Sequence, residues 1–248
     1  MIQCALNGGY DSSDHPAVPV AREELVADAR ACWEAGAASV HLHPRRAEDG
    51  AQTLAADTHD AVVAAVRAAV PGLEISCSTQ EEIDLDDAPD RIAAIEAWRA
   101  PPDVVSLNLP EAGSIELGHA LLRCGIGIEA GVFTLADADT LLRAPWAERV
   151  RRVLVEVIDE HDDAAAVALA RAIDERVAPL GRPRLWHGDA QANWAVVDAG
   201  LAAGRDVRVG LEDTLVDRDG SPAPDNAAQV ALAAAAESTV RRSAPPSR

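Results

Sequence analysis

Two histidines at i and i+2, His41 and His43, close the segment Ala38-Ser39-Val40-His41-Leu42-His43, and Pro44-Arg45 ends it. Alternate side chains of a strand share a face, so both imidazoles point the same way. Two imidazoles on one face can ligate one divalent metal at about 2.0 to 2.1 Å each. The same pair also occurs as hydrogen-bonded core histidines, and the spacing alone leaves both readings open. A carboxylate in the right place shifts the balance. Val207-Arg208-Val209-Gly210-Leu211-Glu212-Asp213 is an apolar strand running into two adjacent acids. Charge buried there is costly unless a metal or an arginine compensates it. These acids could instead open a solvated loop. Read as ligands, His41, His43 and Glu212 form a two-histidine, one-glutamate set with open positions for water or substrate, as in a catalytic zinc site.

Bringing residue 41 to residue 212 requires a closed arrangement of strands. Short β-branched or apolar runs at 2–6, 39–43, 74–78, 104–108, 127–130, 153–158, 184–187 and 206–210 read as strands. Amphipathic, alanine-rich runs at 22–35, 58–70, 88–98, 115–124, 136–151, 163–177, 190–203 and 226–238 read as helices. Eight βα pairs in one chain predict a single (β/α)8 TIM barrel, spanning residues 1–242, with its site at the carboxyl ends of the strands. An open doubly wound sheet is the alternative, weakened because no GxGxxG follows the first strand. The Pro-Pro tail, residues 243–248, reads as frayed. The acidic stretch 81–90 and the cluster 159–163 lack the spacing and turn glycine of a calcium loop, and read as solvated loops and helix starts.

Composition narrows the function. The formal charge of -19 repels nucleic acid and anionic membranes alike. There is no lysine, which excludes Schiff-base chemistry on a lysine amine. Cys4, Cys32, Cys77 and Cys124 form no CxxC pair and read as core residues in a reducing compartment. With no leader and no long apolar run, the expected location is the cytoplasm.

Several segments together carry a family resemblance: Pro16-Ala17-Val18-Pro19, Glu34-Ala35-Gly36-Ala37-Ala38 leading to His41-Leu42-His43, Ser78-Thr79, Ser106-Leu107-Asn108, and Arg208 through Asp213. The chain resembles the β-keto acid cleavage enzymes, whose named member is the 3-keto-5-aminohexanoate cleavage enzyme. The resemblance implies a zinc-bearing (β/α)8 barrel, with another divalent metal as an option, forming a homo-oligomer, tetramer or dimer. It implies acyl exchange between a small β-keto acid and acetyl-CoA, giving acetoacetate and a new CoA ester. It places metal ligands on His41, His43 and Glu212, and substrate contacts on Ser78, Thr79 and Ser106 with Asn108 beside them. Acid-base machinery falls on Glu129, Arg208 and Asp213, where Asp213 near Arg208, or Glu129 across the mouth, takes and returns a proton. Blander readings stand beside these. Arg208 could pair with Asp213 as a structural ion pair, Ser78, Thr79 and Ser106 could cap helices, and Asn108 could be a turn residue.

Three segments depart from the family pattern. Asn7-Gly8-Gly9-Tyr10 puts Tyr10 where the amine-substrate enzyme has an acid, so Tyr10 cannot pair with a substrate ammonium. Val157 through Asp163 replaces a glycine-rich loop with four acids, and Trp186-His187-Gly188-Asp189 lacks an expected arginine. Both changes disfavour CoA phosphates, unless Arg45 and Arg46 receive them. A CoA-independent hydrolase or retro-aldol lyase is the alternative enzyme, with His187 as an acid or base or simply a structural histidine. A non-catalytic barrel with a binding role is the alternative from another class.

Overall fold

A computed structural model describes residues 1–81, 83 and 87–243; the expected tail beyond 243 and most of 82–86 lie outside the described residues. Eight parallel strands close in sequence order into one barrel. They are β1 (Ile2–Ala5), β2 (Ser39–Leu42), β3 (Glu74–Ser78), β4 (Val104–Asn108), β5 (Gly127–Val132), β6 (Arg152–Val157), β7 (Arg184–Gly188) and β8 (Asp206–Val209). The helices are α1 (Arg22–Ala35), α2 (Ala56–Ala69), α3 (Ala88–Glu96), α4 (Ser114–Arg123), α5 (Leu135–Arg143), α6 (Asp163–Val177), α7 (Asn193–Ala202) and α8 (Asn226–Ser243). The expected (β/α)8 barrel is the observed fold. Among the described residues no helix is long and apolar enough to cross a membrane.

The helix expected over 136–151 is shorter. Pro145 forces Ala144 into an extended conformation (φ -64°, ψ 135°), so α5 stops at Arg143 and a single 3-10 turn follows. The helix expected from residue 190 starts at Asn193, after a 3-10 turn in which Ala190 has φ 44°. The acidic cluster 159–163 ends in a helix start, where Asp162 caps α6 by accepting a hydrogen bond from Ala165 N–H at 2.8 Å.

Strand alternation sorts the core into two kinds. Outward residues such as Val105, Leu107, Ile128, Ala130, Val153 and Val155 pack under the helices of one half of the barrel. Ile2, Cys4, Val40, Leu42, Ile75, Cys77, Val207 and Val209 do so for the other half. The alternate residues face the barrel axis, and many of them are polar and buried: Gln3, Ser39, His41, Ser76, Glu129, Arg152, Glu156, His187 and Arg208. A polar interior is stable only if each group finds a partner. Arg152 supplies much of the pairing low in the barrel, bonding Glu129 Oε1 at 2.5 Å and Glu74 Oε1 as well.

Candidate metal centre

His41 is the penultimate residue of β2 and His43 follows its end, so both imidazoles project into the mouth. Asn7, just after β1, clamps this position. Its Nδ2 donates to the His43 carbonyl at 3.0 Å, and its Oδ1 accepts from His43 N–H at 2.9 Å. Asn226, at the start of α8, does the same for the closing strands. Its Nδ2 donates to the Leu6 carbonyl at 2.8 Å and its Oδ1 accepts from Leu211 N–H at 2.7 Å, which fixes the segment bearing Glu212. Gly8, with φ 48°, lies against the Glu212 side chain, and a Cβ there would occupy the space of Glu212 Cγ.

The result is one cluster. Ligand atoms of His41, His43 and Glu212 all lie within 4.8 Å of one another. The two Nε2 atoms face each other at 3.3 Å, and Glu212 Oε1 lies 3.7 Å from one and 3.5 Å from the other. The hydrogen bonds determine the tautomers. Ser76 Oγ donates to Glu129 Oε2 at 2.7 Å, so its lone pair receives the His41 Nδ1 proton at 2.9 Å. His43 Nδ1 faces the carbonyl Oε1 of Gln52 and must also carry a proton. With each ring in its neutral form, both Nε2 atoms present lone pairs to the same point, and Glu212 Oε2 is buried there without a partner. Converging lone pairs beside an anionic carboxylate fit a divalent cation, and the partners behind each imidazole are those that orient metal-bound histidines. Burial holds His41 near pKa 4, with Arg208 and His43 pushing the same way against Glu212, which keeps the ring neutral. Burial raises the Glu212 pKa, but Arg208 and the two histidines outweigh it and hold the carboxyl well below its usual range.

Arg208, buried on β8, joins the two adjacent acids. Its Nη2 donates to Asp213 Oδ1 at 2.6 Å and to Glu212 Oε1 at 2.9 Å, and its Nε lies 3.2 Å from both Asp213 oxygens. Arg208 is thus ion-paired with both Glu212 and Asp213. Burial raises the Asp213 pKa, but Arg208 and then His187 overcome it, so the carboxylate is held ionised. His187 Nδ1 lies 3.5 Å from Asp213 Oδ1, and its Nε2 lies 3.3 Å from Glu156 Oε2.

The remaining expected residues divide. Ser78 and Ser106 are paired across β3 and β4 at the mouth, and Thr79 Oγ1 donates to the Ser106 carbonyl at 2.6 Å. Thr79 is therefore a tie between strand ends rather than a helix cap. Asn108 ends β4 with its Nδ2 on Glu111 Oε1 at 2.7 Å. Glu129 does not reach across the mouth. It is fully buried beneath the centre, with Oε1 held by Gln3 and Arg152 and Oε2 by Ser76. Burial raises its pKa, but Arg152 and then His41 bring it to about 2. Tyr10 is 37% exposed, and only its backbone is tied in, to Asn7 and Arg45. Sequence reasoning missed Asn7 as a clamp, Gln52, Ser76, Arg152 and Glu156. Ser76 was recoverable from its i−2 relation to Ser78, whereas loop residue Gln52 carried no signal.

The family model described as beta-keto acid cleavage enzyme matches residues 1–157 and 155–247. The 3-keto-5-aminohexanoate cleavage enzyme of Acetoanaerobium sticklandii is 33% identical over 88 residues, 35% of this chain and 32% of that protein. Its namesake in Fusobacterium nucleatum subsp. nucleatum is 32% identical over the same shares. These alignments thus span about a third of those relatives' length. In fold, the chain is similar to ObcA in ternary complex with a C4-CoA adduct and oxalate, with TM-score 0.74 at 21% identity over 92% of this chain and 64% of that one. It is also similar to type I 3-dehydroquinate dehydratase from Clostridium difficile, with TM-score 0.66 at 8% identity over 98% and 92% of the two chains. At such identity these two likenesses speak for the barrel alone, whereas the family model runs through both segments of the candidate metal cluster: the chain belongs to the β-keto acid cleavage enzyme family.

Proposed function

We propose that this protein is a metal-dependent enzyme that cleaves a small β-keto acid by retro-Claisen exchange with acetyl-CoA. The products are acetoacetate and a new acyl-CoA. The observation that carries the reading is the pair of inward Nε2 lone pairs on His41 and His43 beside the unpartnered Glu212 oxygen. We assign zinc to these three residues, because neutral imidazoles and one carboxylate suit it. A divalent metal held there would supply Lewis acidity to carbonyl oxygens on which negative charge develops.

The chain's own groups supply the rest. We assign to Asp213, ionised and held by Arg208, the role of taking a proton and later returning it. Arg208 fixes that carboxylate and keeps it off the metal ligands by bonding both acids at once. Ser78, Ser106 and Asn108 offer hydrogen bonds to substrate oxygens at the ends of β3 and β4. Glu129 acts from below by holding Ser76 on His41. The oxaloacetate bound by ObcA is the kind of small oxo acid this site would take. A homo-oligomer, tetramer or dimer, in the cytoplasm completes the proposal, and light scattering tests the assembly.

A second reading omits CoA. Arg45 is already occupied, donating to the carbonyls of Gly50, Gly8 and Tyr10, and Arg46 pairs with Asp49. With acids also filling 159–163, a hydrolase or retro-aldol lyase using the same metal would need no phosphate site. A panel of β-keto acids assayed with and without acetyl-CoA separates the two. Turnover that depends on acetyl-CoA supports the first reading, and turnover indifferent to it removes CoA. Elemental analysis is expected to give one zinc per chain, lost in His41→Ala; metal content unchanged by that substitution would sink the site.

A further inference from the structure

The fully buried amide of Asn226, which ties the end of β1 to the segment bearing Glu212, has a third partner in the helix layer. Its Nδ2 carries two protons. One goes to the Leu6 carbonyl at 2.8 Å and the other to Asp28 Oδ2 at 2.7 Å. Asp28 lies half-buried on α1 and lines an open groove between α1, α2 and the loops after β1 and β2. A carboxylate is a costly choice for this position. The neighbouring turns of α1 bury Leu25, Ala29 and Cys32 against the barrel, in an otherwise apolar layer. Burial raises the Asp28 pKa to about 7, opposed by the Asn226 hydrogen bond and reinforced by the like charge of Asp225 just before α8. Near neutral pH an apolar residue would therefore suit the packing better. Cys32 Sγ is 4.0 Å from Asp28 Oδ1 and lies nearer Cys4 Sγ, at 3.4 Å. The amide of Asn226 is thus the partner that accounts for the acid.

We propose that Asp28 is a positioning residue for Glu212, acting through Asn226. The contacts run from Asp28 Oδ2 to Asn226 Nδ2, and from Asn226 Oδ1 to the N–H of Leu211, whose chain neighbour is Glu212. With both Nδ2 protons engaged, the amide is held on Leu6 and Asp28 at one end, and its oxygen has one place left to accept. Without Asp28 a buried N–H is left unpaired, which is costly. The amide relieves that cost by turning toward another acceptor, away from Leu6 and Leu211. Leu211 then loses its anchor, and the Glu212 carboxylate loses part of its fixed placement beside His41 and His43. Arg208 Nη2 and the Ala5 carbonyl also hold Glu212, so the loss is graded rather than complete. The inference rests on the metal reading of His41, His43 and Glu212, and adds to it a residue in the helix layer outside the barrel.

Two measurements on the full chain test the relay. Zinc affinity is read by chelator competition, and exchange of the Leu211 amide proton is followed by NMR on the metal-free protein. Asp28→Leu keeps α1 helical and shuts water out of the position. It is expected to weaken zinc binding about tenfold and to speed Leu211 exchange by a similar factor. Asp28→Asn retains an accepting oxygen of the same reach and should match the parent in both, a rescue that a role for charge would not give. Asp28→Met, with a more flexible chain, carries the same expectation as Asp28→Leu should that variant fail to fold. Parent-like zinc affinity in the apolar variant overturns the proposal, as does Asp28→Asn being equally impaired. Faster Leu211 exchange in a protein that binds no zinc would defeat the metal reading alone. Zinc bound by the parent, with Leu211 exchange unmoved in the apolar variant, would defeat the relay alone.

Discussion

His41 is held by a relay that runs down into the barrel: imidazole to Ser76, Ser76 to Glu129, Glu129 to Arg152. Each member fixes the proton position of the one above it, so the Nε2 lone pair is set before any metal arrives. Such outer partners commonly influence metal affinity by about 10- to 100-fold. If the proposed centre binds zinc, Ser76→Ala should therefore weaken that binding by about that factor, measured by chelator competition, while leaving the barrel folded. Unchanged affinity would mean that Ser76 merely fills space. Glu129, which family resemblance places with the acid-base groups, belongs by its contacts to this relay, because it is fully buried beneath the mouth and closed in by Gln3, Ser76 and Arg152.

At the level of elements, the loops after β1 and β8 set the position of Glu212, the proposed third ligand. Gly8 has a left-handed backbone and touches Glu212, so Gly8→Ala combines backbone strain with displacement of the ligand. Metal affinity is expected to fall at least tenfold with a loss of roughly 1 kcal/mol in stability, checked by calorimetry and thermal melting. Helix packing offers a separate test. His59 on α2 stacks on Trp98 with ring centroids 3.6 Å apart and planes 8° from parallel, while neither of its ring nitrogens has a partner. Burial lowers its pKa from 6.5 to about 3, against a small opposing pull from Asp60. The unfolded chain then binds the extra proton first, so stability falls as pH drops from about 6.5 toward 3. His59→Phe keeps the stack and removes the titration. It should be more stable than the parent at pH 4, by on the order of 2 kcal/mol, with a flatter profile by chemical denaturation. An equal pH dependence in the two proteins would show that His59 is not the group responsible.

Over the whole molecule, the barrel axis is filled by charge where many barrels use aliphatic layers. Arg152 compensates both Glu74 and Glu129, so Arg152→Leu leaves the fully buried Glu129 without its cation and Glu74 with only the exposed Arg151. Breaking a buried pair from one side typically costs about 3 to 5 kcal/mol, and a loss of that size in denaturant unfolding is expected. A loss below about 1 kcal/mol would mean that water reaches the lower barrel. Above this layer the charge continues through Arg208, Glu212, Asp213, His187 and Glu156, so the candidate metal centre sits at one end of a single electrostatic network.

Much of this was legible in the sequence. Short β-branched or apolar runs and alanine-rich amphipathic stretches named eight strands and eight helices, because strands buried on both faces and helices half exposed to solvent impose those patterns locally. Pro145 and the turn at Ala190 moved two helix ends, and α8 runs past its expected end at 238 to Ser243. The ligand set His41, His43 and Glu212 could also be proposed, since strand alternation places both histidines on one face and charge at a strand end invites a metal. What the sequence could not rank were residues whose importance lies in a partner from another strand. Ser76 is one serine among several until Glu129 is found beneath it and His41 above. Glu156 is one of many acids until Gly131, Asn108 and His187 surround it. Local patterning is written residue by residue, but the roles of groups facing a barrel axis are set by which strands closure brings together.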